Sequence, residues 1–268
     1  MTGSGFHDLL DDLAQETAVL DVRVSSLEAS DWGLPTPAEG WTIHDQISHL
    51  AFFDEQAVLA VASPTRFRTG AAELMAGGMD FPDRVAARYR SMPVPDLLDW
   101  FRSARAELLR VFGALDGSTR VPWFGPDMSL MSSATARLME TWAHGIDVAQ
   151  TVGADVTASP RLHHIAHLGV RTLGFSFMLR ELPVPEEQVR VELTAPDGAE
   201  WVWGPPGLPN TITGPAPDFC LVVTQRRHVL DTELRVEGPV ARDWMMIAQA
   251  FAGAPGTGRP AHAVGATS

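Results

Sequence analysis

The segment that most constrains the fold is residues 138–150, whose apolar side chains recur with the period of an α-helix. The apolar positions that would face a core are Leu138, Trp142, Ile146 and Ala149. Glu140, His144 and Asp147 occupy the adjoining stripe. A carboxylate and an imidazole one turn apart suit a divalent metal ion, but the same spacing is also typical of an exposed ion pair. The pattern alone leaves both interpretations open.

A metal site needs at least one more ligand, and His49 is the best candidate. It flanks the apolar face of a second predicted helix, residues 43–62, for which Thr42 is a favourable N-cap. Asp45 lies one turn before His49 and is a candidate for orienting its imidazole. Two histidines and one glutamate suit zinc, nickel and iron alike, so the residues leave the identity of the metal open.

Composition excludes several classes of function. The chain has 268 residues, enough for one large domain or two ordinary ones, and 45% of them are hydrophobic. A net charge of −13 without a basic run predicts that neither nucleic acid nor an anionic membrane is a partner. The absence of lysine excludes Schiff-base lysine chemistry and a Walker-type phosphate loop. A single cysteine, no signal-peptide pattern and no long apolar run predict a cytoplasmic protein with no membrane span.

Helical periodicity predicts a four-helix bundle, an architecture whose interior commonly holds metals between facing helices. The four long segments are residues 6–27, 43–62, 96–115 and 129–152. Residues 64–92 are interrupted by glycines, and only 82–91 is typical of a short helix. Residues 159–182 predict a fifth helix.

The pattern then changes to short alternating segments. The predicted elements are strands at 188–193, 200–203, 210–213 and 234–237 and helices at 219–223 and 239–251. We therefore predict a helical metal-binding bundle over residues 1–183 and a small α+β domain over residues 184–255. Residues 256–268 are rich in Gly, Ala and Pro and are predicted to form a flexible tail.

Two motifs resemble a known family. Glu140-x-x-x-His144-Gly-Ile-Asp147 and Trp41-Thr-x6-His49-Leu are similar to motifs of the mycothiol-dependent maleylpyruvate isomerase superfamily, which belongs to the DinB-like metal-binding four-helix bundles. The resemblance covers most of the chain, as a helical metal domain followed by a small α+β domain.

Two C-terminal segments indicate which branch of the superfamily the sequence resembles. Residues 219–228 and 247–253 resemble one actinobacterial branch of the superfamily.

The resemblance implies that His49, Glu140 and His144 hold a divalent metal, usually zinc. Three protein ligands with an open fourth position are typical of catalytic zinc. It further implies that mycothiol, a low-molecular-weight thiol, is the co-substrate, and that the metal favours its thiolate. Addition of that thiolate to an activated alkene, bond rotation and elimination would give cis–trans isomerisation, whereas displacement would give thiol transfer. We expect a mycothiol-dependent isomerase or S-transferase that acts on a small electrophile, as a monomer or homodimer.

Two other functions fit the same three ligands. One is a thiol-independent hydrolase, in which metal-bound water is the nucleophile. The other is a non-catalytic metal- or ligand-binding stress protein, which a closed site with Asp147 as fourth ligand would favour.

Three further residues are candidate catalytic groups. Asp147 is interpreted as an acceptor that orients His49, the alternatives being a fourth ligand or a surface carboxylate. Arg226 and Arg227 would supply a cation for a carboxylate-bearing substrate or for the polar groups of the thiol. The alternative for this pair is two surface arginines near a turn.

The remaining histidine cluster and the cysteine are given structural interpretations. His163, His164 and His167 lack a convergent carboxylate and are interpreted as surface or interdomain residues. The alternative is a metal site formed by His163 and His167, which share one helical face. Cys220, between Phe219 and Leu221, is interpreted as a small buried apolar residue rather than a nucleophile.

Overall fold

The computed structural model describes residues 3–262, with the side chains of residues 5–262, and it divides the chain into two compact units. The first unit ends at Val156 and the second begins at Thr157. The predicted boundary at residues 183/184 differs from this division, because two helices between residues 162 and 178 pack within the second unit. The predicted fold class, a helical bundle followed by an α+β portion, is confirmed.

The first unit is mainly helical. Its α-helices are α1 (Gly3–Ser25), α2 (Ile43–Ala62), α3 (Pro64–Met75), α4 (Phe81–Tyr89), α5 (Val94–Gly113) and α6 (Leu130–Thr151). The long helices α1, α2, α5 and α6 correspond to the four predicted segments; α2 packs chiefly on α5, and α1 on α6. The strands β1 (Arg120–Val121) and β2 (Met128–Ser129) form a short antiparallel pair before α6.

Helix α2 begins at the predicted N-cap. The Thr42 side chain accepts from the backbone N–H of Asp45, and the Thr42 N–H donates to Asp45 Oδ2 at 2.9 Å, which completes a capping box. Arg90 Nε donates to Asp45 Oδ1 at 2.9 Å. The prediction that Asp45 orients His49 is wrong, because the Asp45 carboxylate is used by the helix cap and by Arg90.

Helix α3 is absent from the sequence prediction. Pro64 occupies its first turn, where the missing N–H is tolerated. Phe67 and Ala71, one turn apart, supply its buried side. Glycines interrupt the apolar pattern of this stretch, but the buried pair is enough to fix a helix whose other side is exposed.

As far as residue 262, the second unit combines four α-helices with one sheet. Its elements are α7 (Leu162–Arg171), α8 (Leu173–Met178), β3 (Arg190–Thr194), β4 (Glu200–Trp203), β5 (Thr211–Pro215), α9 (Ala216–Val223), β6 (Arg235–Glu237) and α10 (Pro239–Ile247). The sheet order is β4-β3-β5-β6, with β3 parallel to β5 and the other neighbours antiparallel. Among the described residues, every helix is too short or too polar to span a bilayer.

The prediction of a single helix over residues 159–182 is wrong, because the helix is interrupted at Thr172. Its backbone has φ −98° and ψ 11°, and its hydroxyl donates to the carbonyls of Leu168 and Gly169, both at 3.0 Å. The closing helix also ends earlier than predicted, since Ala248 adopts an extended ψ of 133°.

The predicted tail is only partly described. Arg180 Nη2 donates to the carbonyl of Gly256 at 2.6 Å, so the beginning of this segment is anchored. Residues 263–268 lie outside the described residues.

Candidate metal centre

Helices α2 and α6 bring the three predicted ligands together. The ligand atoms of His49, Glu140 and His144 all lie within 4.8 Å of one another. Glu140 Oε2 is 3.1 Å from His144 Nε2 and 3.7 Å from His49 Nε2. Within residues 5–262, this is the only cluster of three or more His, Cys, Asp or Glu side chains that could share one ion.

The protonation states at this site suit metal ligation. The side chains of His49, Glu140 and His144 are 12%, 21% and 8% exposed. Burial, reinforced by the neighbouring His144, lowers the pKa of His49 from 6.5 to about 4. Burial by itself raises the pKa of Glu140, but hydrogen bonds from the two histidines hold that pKa well below 4.5. At neutral pH the site therefore offers a neutral imidazole and a carboxylate, the forms that bind metal.

The third predicted ligand, His144, is hydrogen-bonded to Gln46, a residue for which the sequence predicts no role. Gln46 is fully buried in α2, and its Oε1 is hydrogen-bonded to His144 Nδ1. Gln46 Nε2 donates to Thr36 Oγ1 at 2.8 Å, and Thr36 Oγ1 donates to the carbonyl of Trp41 at 3.0 Å. The position of Gln46 in the sequence could have indicated a role at the site, because Gln46 lies three residues before His49 and therefore shares its face of α2.

Aromatic rings pack around the two candidate histidine ligands. The Trp41 indole stacks on His144 with centroids 5.8 Å and planes 11° apart. The Phe53 ring lies 4.5 Å from the ring of His49. Trp41 Nε1 donates to Asp83 Oδ1 at 2.6 Å, which fixes the plane of the indole. These rings limit the ways in which the imidazoles can turn.

Arg137, one turn before Glu140 on α6, belongs to a buried charge cluster that also includes Asp54 of α2 and Arg105 of α5. Asp54, Arg105 and Arg137 are 0%, 2% and 3% exposed. Arg105 Nε donates to Asp54 Oδ2 at 2.7 Å, and Arg105 Nη2 donates to Thr141 Oγ1 at 3.0 Å. Arg137 Nε lies 3.2 Å from Asp54 Oδ1, and Arg137 Nη2 has no hydrogen-bond acceptor in the described part of the chain. Two cations thus share one carboxylate beside the candidate metal centre.

Asp147 is buried in α6, at 1% exposure, and is not a member of the convergent ligand group. The Nδ1 atom of His49 has no hydrogen-bond partner among the described residues, so the predicted bond from Asp147 to that nitrogen is not observed. A catalytic role for Asp147 stays a prediction.

Arg226 and Arg227 follow α9 in the second unit. Arg226 Nη1 donates to the carbonyl of Thr224 at 2.8 Å, and Arg227 Nη1 lies 3.4 Å from Asp218 Oδ1. Their role toward a substrate stays a prediction.

The other histidine cluster packs helix α7 on strand β4. The ring of His163 stacks on Trp203 with centroids 5.5 Å apart and meets Trp201 edge-on at 5.0 Å. Trp203 Nε1 donates to His167 Nδ1 at 3.2 Å. These histidines are engaged with tryptophans of the same unit.

Cys220 is fully buried, as predicted. Burial raises the pKa of its thiol, so the neutral form persists at any physiological pH.

Comparison with known proteins adds family information to this geometry. A family model described as the mycothiol maleylpyruvate isomerase N-terminal domain matches residues 13–149, and a model described as wyosine base formation matches residues 185–236. Two Mycobacterium tuberculosis proteins, MT0041 and Rv0036c, are each 44% identical over 248 residues, which is 92% of this chain and 96% of each relative.

Two crystal structures share the fold. They are the mycothiol-dependent maleylpyruvate isomerase and a histidine-to-alanine mutant of it, with TM-scores of 0.56 and 0.57. Each is 17% identical, and the match covers 84% of this chain and 92% of the other.

Proposed function

Because the chain belongs to the family of the mycothiol maleylpyruvate isomerase N-terminal domain, we propose that it is a metal-dependent enzyme that uses a low-molecular-weight thiol. The proposed thiol is mycothiol and the proposed substrate is a small electrophile, in a cis–trans isomerisation or an S-transfer. The observation that carries the proposal is the convergence of His49, Glu140 and His144 within 4.8 Å. All three lie inside the matched residues 13–149.

The residues present fit a divalent metal ion. Two imidazoles and one carboxylate are a common ligand set for zinc, and nickel and iron suit it as well. Burial lowers the pKa of His49 to about 4, so this nitrogen does not need to lose a proton near neutral pH. Asp147 lies outside the convergent group, which supports an open fourth position rather than a closed site.

A metal ion held by these residues would act as a Lewis acid that favours the thiolate of a bound thiol. The surrounding side chains have separate tasks. Trp41 and Phe53 cover the histidine rings and keep water from those sides. Arg137 places a buried positive charge one turn from Glu140, which stabilises an anion bound nearby.

The isomerisation requires no co-reactant other than the thiol. Its thiolate adds to one carbon of an activated C=C bond, which leaves a single bond about which the substrate rotates. Elimination then restores the double bond and releases the same thiolate, so that atoms and electrons balance. In the S-transfer, the thiolate displaces a leaving group and remains in the product.

Metal content is the first test. We expect about one transition-metal ion per wild-type chain by inductively coupled plasma mass spectrometry. His49→Ala, Glu140→Ala and His144→Ala should each lose it. Glu107→Ala and His262→Ala are matched controls, because both side chains are exposed and lie outside the ligand group, and both should keep the metal. A wild type that stays metal-free after reconstitution with zinc, nickel and iron would overturn the proposal.

Turnover with and without thiol then separates the possible activities. Activated cis-alkenes and alkyl halides should react only when mycothiol is present. Hydrolysis of esters or amides without thiol would favour the hydrolase instead. A metal-loaded protein that turns over none of these substrates would favour a binding protein.

A further inference from the structure

We infer that Gln46 is a positioning residue that keeps the Nδ1 atom of His144 protonated and so presents Nε2 as the metal-binding atom. This inference rests on the proposed metal site, but its first test needs no metal. It starts from a hydrogen-bond chain that runs from Trp41 through Thr36 and Gln46 to His144.

The donor and acceptor roles along this hydrogen-bond chain follow from a count of protons. The Thr36 hydroxyl has one proton, and it donates this proton to the carbonyl of Trp41 at 3.0 Å. Thr36 Oγ1 is then an acceptor toward Gln46, so the Gln46 atom 2.8 Å away is the NH2 group. The other end of the Gln46 amide, its carbonyl oxygen, therefore faces His144. A carbonyl oxygen only accepts, so the proton of this hydrogen bond belongs to His144 Nδ1.

The consequence appears on the opposite side of the imidazole. A neutral histidine with a proton on Nδ1 carries its lone pair on Nε2. In this structure Nε2 is hydrogen-bonded to Glu140 at 3.1 Å, within the group that also contains His49. A metal ion would take the place of the proton in that hydrogen bond and accept the Nε2 lone pair, while Nδ1 keeps its proton. Gln46 therefore directs the lone pair toward the place where a metal would be bound. A hydrogen bond to the far nitrogen also makes a histidine ligand more basic.

The opposite arrangement would disable the ligand. If the Gln46 amide were reversed, its NH2 group would donate to Nδ1 and the proton of neutral His144 would sit on Nε2. Nε2 could then bind a metal only by giving up the single proton of the ring, which is unfavourable for an imidazole. Thr36 would also have to turn its hydroxyl from Trp41 to Gln46. The stacked Trp41 ring restricts His144 as well, so a rotation of the imidazole is not an easy alternative.

The first test is nuclear magnetic resonance of the metal-free protein labelled with nitrogen-15 in histidine. We expect His144 Nδ1 at the shift of a protonated nitrogen, with its proton protected from exchange. An unprotonated Nδ1 would overturn the inference. Because no metal is present, this result stands apart from the success or failure of the proposed function.

The second test is zinc affinity, measured by competition with a chromogenic chelator. Gln46→Leu keeps the approximate size but removes the acceptor, and we expect a loss of about 10- to 100-fold in affinity. Gln46→Glu restores an acceptor and should retain or raise the affinity. Gln56→Leu is the matched control, because Gln56 lies on the same helix but is not a member of the hydrogen-bond chain formed by Trp41, Thr36, Gln46 and His144. It should leave the affinity unchanged.

Two outcomes would contradict a positioning role. Unchanged affinity in folded Gln46→Leu would show that the acceptor is not needed. Equal losses in Gln46→Leu and Gln46→Glu would show that only the shape of the glutamine matters. If the leucine variant does not fold, the nuclear magnetic resonance result on the wild type still decides.

Discussion

Arg105 and Asp54 form a buried ion pair between α5 and α2, with 2.7 Å between Arg105 Nε and Asp54 Oδ2 and side-chain exposures of 3% and 0%. Arg137 shares the same carboxylate at 3.2 Å. A second ion pair, between Arg102 and Asp21, joins α5 to α1 at 2.8 Å but is 45% and 31% exposed. The two pairs allow a direct comparison of buried and exposed charge.

Asp54→Asn should lower the free energy of unfolding by about 3–5 kcal/mol, because it leaves two buried guanidinium groups without a counter-charge. Asp21→Asn, the exposed counterpart, should cost less than about 1 kcal/mol. Urea denaturation followed by far-ultraviolet circular dichroism measures both. Equal effects of the two substitutions would contradict the buried ion pair.

The metal-free protein should lose stability as the pH falls from 6.5 toward 4. The pKa of His49 is about 4 in the folded chain and 6.5 without burial. Between these pH values the unfolded chain binds a proton at His49 that the folded chain does not bind. The contribution of His49 to the free energy of unfolding is therefore complete above pH 6.5 and is lost as the pH falls toward 4. The lowered pKa of Glu140 acts in the same direction below pH 4.5.

The measurement is the urea midpoint across this pH range, with a chelator present. His49→Gln should give a shallower dependence than the wild type, and His262→Gln should not. A wild-type midpoint that is flat between pH 6.5 and 4 would contradict the lowered pKa of His49.

Gly169→Ala should destabilise the protein by about 1–3 kcal/mol. A Cβ at this position of α7 would lie 2.9 Å from Val223 Cγ2 and 3.0 Å from Phe219 Cε1, so α9 would have to move. Gly70→Ala in α3 is the control, because a Cβ there meets nothing within 4 Å. It should stabilise the helix by up to about 1 kcal/mol. Thermal unfolding should show shifts of opposite sign.

Cys220 should not react with thiol reagents in the folded protein. Its side chain is fully buried, and burial raises its pKa, so neither access nor thiolate is available. Ellman's reagent at pH 8 should detect one thiol per chain only after unfolding in guanidinium chloride. Rapid labelling of the native protein would show that the surrounding structure opens.

Local patterns were enough to predict most helices and two residues of the convergent His/Glu group. Glu140 and His144 are one turn apart on α6, and that spacing is visible in the sequence. Gln46 was missed because its partner His144 lies 98 residues away, and no local pattern shows that pairing. The interruption of the helix at Thr172 was missed because the apolar pattern is helical on both sides of it. The Thr172 hydroxyl donates to the carbonyls of Leu168 and Gly169, and the helical pattern does not indicate these hydrogen bonds.

The buried charges could not be predicted for a related reason. Arg105 and Arg137 would ordinarily be placed on the surface, because arginine is rarely buried unless paired. Their burial depends on Asp54, which lies 51 residues before Arg105. Such a pairing is fixed by the tertiary fold and not by periodicity.

The order of the ligands along the chain has a consequence for biosynthesis. The three candidate metal ligands and the residues that contact them all precede Val156, where the first unit ends. Translation proceeds from the N-terminus, and N-terminal domains generally fold first. The ribosome has therefore made every residue of the ligand set before it starts the second unit. A gene fusion that exchanged the second unit would leave that ligand set unchanged.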